Sequence, residues 1–189
     1  MKIRTRILGI IAMASSPFLF AQMSLAGNAN TSLGGLCGLI YMIGWSCVIV
    51  ALMRYRATGE RKAARVVLYL QLSLLFIANI WNVWTILDPG NSSPLYFILD
   101  FSWPASNVCL LVTGIVVAEA AVLTGWKRYS VLIAGTWLPV TLCLFILIGQ
   151  GKETMIVSGI YSTIAWFFMG YMVYRSAQEM NSELSIVRK

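Results

Sequence analysis

An all-α, polytopic transmembrane helical bundle is the fold this sequence predicts, and three observations predict it. Apolar residues make up 59% of the chain and charged residues only 11%, whereas soluble domains carry about 25% charged residues. The apolar residues gather into runs of roughly 20, the length at which a helix crosses the hydrocarbon core. Thirteen of the fourteen Lys and Arg residues stand in four short clusters beside those runs, Lys152 being the exception.

The first apolar stretch, Ile7 to Gln22, follows Lys2, Arg4 and Arg6. It reads either as a signal peptide, with small-residue cleavage motifs at Ala12-Met13-Ala14 or Ser24-Leu25-Ala26, or as a retained first span. The retained helix is preferred, because an internal span can itself direct insertion; Ser15-Ser16-Pro17 interrupts it. The bundle therefore has six spans, or five after removal of an N-terminal signal peptide. The other spans are Gly34–Met53, Val66–Leu87, Tyr96–Leu123, Val131–Ile148 and Met155–Tyr174. All but one hold about 18 to 22 residues, the crossing length. Tyr96–Leu123 has 28, and the surplus predicts tilt, a kink or an interfacial lead-in, with Pro104 placed to cause it. Connections are short, so consecutive spans should be antiparallel neighbours in a single membrane domain covering 1–189. Residues 175–189 form a cytoplasmic tail, either a short helix or disordered.

Basic loops stay on the cytoplasmic side of a membrane. Lys2, Arg4 and Arg6 lie inside, as do Arg54, Arg56, Arg61, Lys62 and Arg65, then Lys127 and Arg128, and finally Arg175, Arg188 and Lys189. The outer loops hold only Asp88, Lys152 and Glu153. The alternation predicts a cytoplasmic carboxyl terminus in the cytoplasmic (plasma or inner) membrane. The net charge of +7 sits at span ends and not on one soluble face, so it reads as orientation and contact with anionic lipid, and no nucleic acid is expected as a partner.

Small residues recur at helical spacing. Gly34 and Gly38 make one step, Ser102, Ser106, Gly114 and Ala118 another, and Ser158 and Ser162 a third. In lipid no hydrophobic effect drives association, and small residues let backbones approach. Ordinary packing within the chain is the expected use; a dimer face, for a homo-oligomer or a membrane-protein partner, is the alternative.

The absences are the sharpest chemistry. The chain has no histidine, which removes bis-histidine haem ligation, His-based metal sites and any triad built on imidazole. All five lysines lie outside the span interiors, so no buried amine is available for a retinal Schiff base. Cys37, Cys47, Cys109 and Cys143 form no CxxC pair, and each lies in an apolar run, where cysteine packs as a small residue. Neither cofactor nor metal is expected. Two outer segments read Asn-x-Ser/Thr, at Asn30 and Asn91, and chance accounts for both.

Ionisable groups in spans are functional candidates, since insertion scales put a central charge at about 2.5–3.5 kcal/mol. Glu119 lies about 6 Å inside the inner end of its span, so a structural ion pair with Arg54, Arg56 or Arg175 is expected. Asp100 falls at the outer interface, where it could cap a helix whose first turn holds Pro104. Asn79 and Asn82 share a helical face on the outer half of their span, and Asn107 sits level with them on the facing span. Interhelical hydrogen bonding at about 0.6 kcal/mol per bond explains the cluster blandly. The sharper account makes Asn79, Asn82, Asp100 and Asn107 the lining of a small outer cavity for a polar or amphipathic ligand.

The expected function is a non-enzymatic bundle for assembly, sensing or ligand binding. The alternative is a small-molecule transporter or channel subunit using the outer polar cluster, although broken-helix pairs and inverted repeats typical of carriers are not evident. A lipid-modifying enzyme ranks third, because clustered acids or a His–acid site are missing.

Overall fold

Pro17, Pro104 and Pro139 break what would otherwise be straight apolar rods. The computed structural model describes residues 2–25 and 31–186. Among them the order is α1 (Lys2–Ser15), α2 (Phe18–Leu25), α3 (Ser32–Tyr55), α4 (Lys62–Leu87), α5 (Pro94–Asp100), α6 (Ser102–Ala120), α7 (Lys127–Gly135), α8 (Trp137–Ile148) and α9 (Lys152–Ile186), with no strand. A proline lacks the N–H that would bond the carbonyl four residues back, and its ring crowds that carbonyl. The breaks at Pro104 and Pro139 follow this rule. Asp100 ends α5 four residues before Pro104, and Gly135 ends α7 four residues before Pro139. The next helices restart at Ser102 and Trp137 with the proline in their first turn, where a missing N–H costs nothing.

Five stretches are long and apolar enough to cross a membrane: Arg4–Ser24, Ser32–Tyr55, Lys62–Leu87, Pro94–Ala120 and Lys152–Glu179. The pair α7–α8, bent by 41°, makes a sixth if it counts as one span. The observed helix bounds refine three expectations. Val131–Ile148 is not one straight helix. Tyr96–Leu123 breaks at Phe101 and stops at Ala120, where Ala121 takes a left-handed conformation with φ 51°. Residues 175–186 are helical and continue α9 without a break. Asn30, Ala26 of the second cleavage motif, Arg188 and Lys189 lie outside the described residues.

Paired contacts fix the relative directions. Arg54 donates to Thr5 Oγ1 at 3.4 Å and Ser32 Oγ to the Ile86 carbonyl at 3.0 Å, making α1–α3 and α3–α4 antiparallel. Gln71 Nε2 donates to the Ser106 carbonyl at 3.1 Å, tying α4 to α6. The pair α7–α8 runs antiparallel to α9 along its whole length, through Lys127–Glu179, Thr136–Tyr161 and Thr141–Ser158. Arg6 bonds Tyr174 Oη at 2.7 Å, so the basic clusters gather at one end of the bundle, called here the basic end.

Glycine sets the closest approaches. A Cβ on Gly114 would stand 2.5 Å from Leu132 Cα, and one on Gly135 would stand 2.6 Å from Leu111 Cα. The backbones of α6 and α7 thus touch through two reciprocal glycines, the dispersion contact that replaces the hydrophobic effect in lipid. The small residues Gly34, Gly38, Ser102, Ser106, Gly114, Ala118, Ser158 and Ser162 are all buried. Between the helices lies an aromatic core: Trp45 and Trp166 meet at 5.4 Å, Trp166 and Trp137 at 6.2 Å, and Trp137 and Trp103 at 5.6 Å. Each such pair contributes about 0.5–1.5 kcal/mol beyond area burial.

Candidate functional site

At the end away from the basic clusters, α2, α3, α4 and the α5–α6 junction enclose a cavity of about 210 Å³. Its wall is Leu19, Gln22, Met23, Met42, Trp81, Asn82, Asp100 and Trp103. Local sequence builds it. The break at Pro17 starts α2 afresh, bringing Leu19, Gln22 and Met23 onto the wall. The break before Pro104 ends α5 at Asp100 and begins α6 just ahead of Trp103. Gly38 supplies room: a Cβ there would overlap Asn82 Oδ1 and come within 3.0 Å of Gln22 Nε2. Two side-chain amides therefore converge over one glycine of α3 without hydrogen-bonding each other.

The polar groups on this wall have an asymmetric supply of partners. Asn82 is 1% exposed, and its Nδ2 donates to the Ala78 carbonyl at 3.1 Å. Its Oδ1 has no partner, and neither has Trp81 Nε1. Gln22 and Asp100 add an amide and a carboxyl group, and Leu19, Met23, Met42 and Trp103 make the apolar remainder of the wall. Chemically the arrangement can take a small molecule that is largely apolar and carries a hydrogen-bond donor.

The four expected site residues divide. Asn82 and Asp100 line the cavity; Asn79 and Asn107 do not. Asn79 donates to the Leu75 carbonyl at 3.0 Å and Asn107 to the Trp103 carbonyl at 3.0 Å, each four residues back in its own helix. The bland expectation of bonding between these amides across helices is corrected accordingly. Bonding between helices comes from other residues, such as Gln71 to Ser106 and Trp137 Nε1 to the Ser158 carbonyl at 2.9 Å. Thr85 and Tyr96 share a hydroxyl bond of 2.7 Å at the far end. Asp100 caps nothing: Phe101 is the N-cap of α6 and makes no side-chain cap bond.

Glu119 is exposed, and no ion pair joins it to Arg54, Arg56 or Arg175 among the described residues. Arg56 pairs with Glu60 at 3.1 Å instead, and Arg65 also pairs with Glu60. The reason is local. Glu60 sits in the same loop, four residues from Arg56, while Glu119 lies at the end of a different helix, α6. Among the described residues no three Cys, Asp or Glu side chains group closely enough to hold a metal ion.

Sequence reasoning missed Leu19, Gln22, Met23 and Met42 on the wall, and the fully buried Gln71. The available signal was polarity out of place. Gln22 and Gln71 are amides in apolar stretches, as conspicuous as the asparagines. In comparisons with known proteins, no family profile, no curated protein and no solved structure matches this chain.

Proposed function

We propose that this protein is a multi-pass membrane bundle of six crossings, with its basic end cytoplasmic, that binds a small amphipathic molecule in the far-end cavity and works by sensing or assembly. The observation that carries the reading is the unpartnered Oδ1 of Asn82 on a largely apolar wall that also carries Gln22 and Asp100. Every backbone N–H inside a helix is already committed to the carbonyl one turn back. An asparagine in a span can therefore satisfy its donor within its own helix, but its acceptor needs a donor from elsewhere. Leaving a buried acceptor unmade costs about 1–3 kcal/mol, and a ligand hydroxyl or ammonium entering the cavity recovers it. The six-crossing reading draws support from the pairing of α7–α8 with α9 from Lys127–Glu179 to Thr141–Ser158.

The test uses 2,2,2-tribromoethanol, a compact apolar alcohol whose bromines quench tryptophan, because Trp81 and Trp103 line the cavity. The expected result is a saturable component of quenching that vanishes in Asn82→Leu. The same variant should be as thermally stable as the parent or more so, since it loses an unpartnered oxygen. Quenching that is linear and equal in both proteins sinks the ligand site. Net passage of the alcohol analogue across reconstituted vesicles, dependent on Asn82, would mark a transporter in place of a sensor.

A further inference from the structure

A second and larger cavity, about 550 Å³, opens at the basic end between the α3–α4 loop, the first turns of α4 and the last turns of α6. Its wall combines Thr58, Glu60, Arg61 and Glu119 with small apolar residues including Ala64 and Val116. Three features of this wall are unmatched. Arg61 is the N-cap of α4 and makes no side-chain cap bond, so the N–H groups and positive dipole end of a 26-residue helix are left uncapped. Neither Arg61 nor Glu119 takes part in an ion pair among the described residues, with each other or with anything else. Thr58 is 2% exposed and its Oγ1 has no partner. Glu60, by contrast, is already matched by Arg56 and Arg65.

One cavity thus presents a cationic end, a hydroxyl and a carboxylate, each without its complement, beside an apolar wall of Val67 and Val116 on two helices apolar enough to cross a membrane. We propose that it holds the headgroup of a phospholipid bearing a primary ammonium group. Its phosphate rests against Arg61, the amino end of α4 and the Thr58 hydroxyl, and its ammonium donates to Glu119. Helix amino ends with a neighbouring guanidinium favour phosphate oxygens. An ammonium offers three donors to a carboxylate, whereas a choline headgroup has none and is held by aromatic faces, which this wall lacks. An anionic glycerol headgroup would leave Glu119 facing like charge.

The test is native mass spectrometry of the full chain, delipidated in detergent and offered equal amounts of phosphatidylethanolamine, phosphatidylcholine and phosphatidylglycerol. Phosphatidylethanolamine should be retained roughly tenfold over phosphatidylcholine, the discrimination expected of one charge-assisted hydrogen bond. Glu119→Gln should bring that ratio to about one, and Arg61→Gln should lower retention of both lipids. Ala64→Leu, which narrows the cavity and leaves every charge in place, should lower retention of phosphatidylethanolamine with the thermal midpoint unchanged. Equal retention in the parent, a ratio untouched by Glu119→Gln, or a preference for phosphatidylglycerol as expected of the basic belt alone would each overturn the proposal. Displacement of the lipid by micromolar O-phosphoethanolamine would reassign the cavity to a soluble ligand and overturn the lipid reading.

Discussion

Asn79, Asn82 and Asn107 all turn their amide N–H groups onto their own helices, one turn back. That choice has a simple cause: the carbonyl four residues earlier is always within reach, whatever the neighbouring helices do. What differs among the three is the surroundings of the oxygen, and of the three Asn82 alone lines the far-end cavity. Glycines show the same dependence on neighbours. Gly135→Ala should destabilise the bundle by about 1–3 kcal/mol, the usual cost of overpacking a closed contact, because its Cβ would stand 2.6 Å from the α6 backbone. Gly151→Ala, where a Cβ meets nothing within 4 Å, should leave stability unchanged. Thermal unfolding of the two variants in the same detergent checks the contrast; equal midpoints would mean that α6 and α7 are not in backbone contact. The spacing of small residues announced such contacts in the sequence, but the identity of the facing backbone could not be read there.

Helices here are shaped by proline more than by composition. The sequence places Pro104 in a run too long for one crossing, and a break at Phe101 resolves the surplus. Pro139 sits in a run of ordinary length, where nothing in length or hydropathy demands a bend, yet α7 and α8 meet at 41°. Thr136 holds the corner: its hydroxyl contacts the Ile133 carbonyl and Tyr161 Oη at 2.8 Å. Pro139→Ala returns an N–H to the Gly135 carbonyl and should straighten the pair. Spin labels at Tyr129 and Ile146 should then move apart by roughly 2 Å, the foreshortening that such a bend imposes on helices of this length. An unchanged separation would assign the bend to the Thr136–Tyr161 contact. α9 is the opposite case. Its 35 residues exceed what a bilayer core of about 30 Å takes up, and Glu179 near its carboxyl end pairs with Lys127 at the basic end.

Among the described residues the bundle alternates direction from one long apolar stretch to the next, with its basic clusters at one end. Alkaline phosphatase fused at Gly90 or Gln150 should be active, while fluorescent protein fused at Gly59 or after residue 186 should fold and emit. An inactive phosphatase at Gln150 would make α7–α8 a re-entrant hairpin and reduce the crossings to five. Helicity, apolar length and the segregation of charge were legible in the residues, because each depends on a local property: propensity, run length, or the cost of a charge in lipid. Even the existence of a polar far end was legible, in Asn82 and Asp100. The cavity itself was not. It depends on Gln22 from the first stretch meeting Asn82 across Gly38, three residues on three helices whose approach no local property specifies. The fate of Glu119 was equally hidden, because Glu60 reached the arginines first from within their own loop. Local chemistry specifies which segments are helical and apolar enough to cross a membrane; which polar atoms are left without partners is a property of packing, where every group competes for the neighbours that distant parts of the chain bring to it.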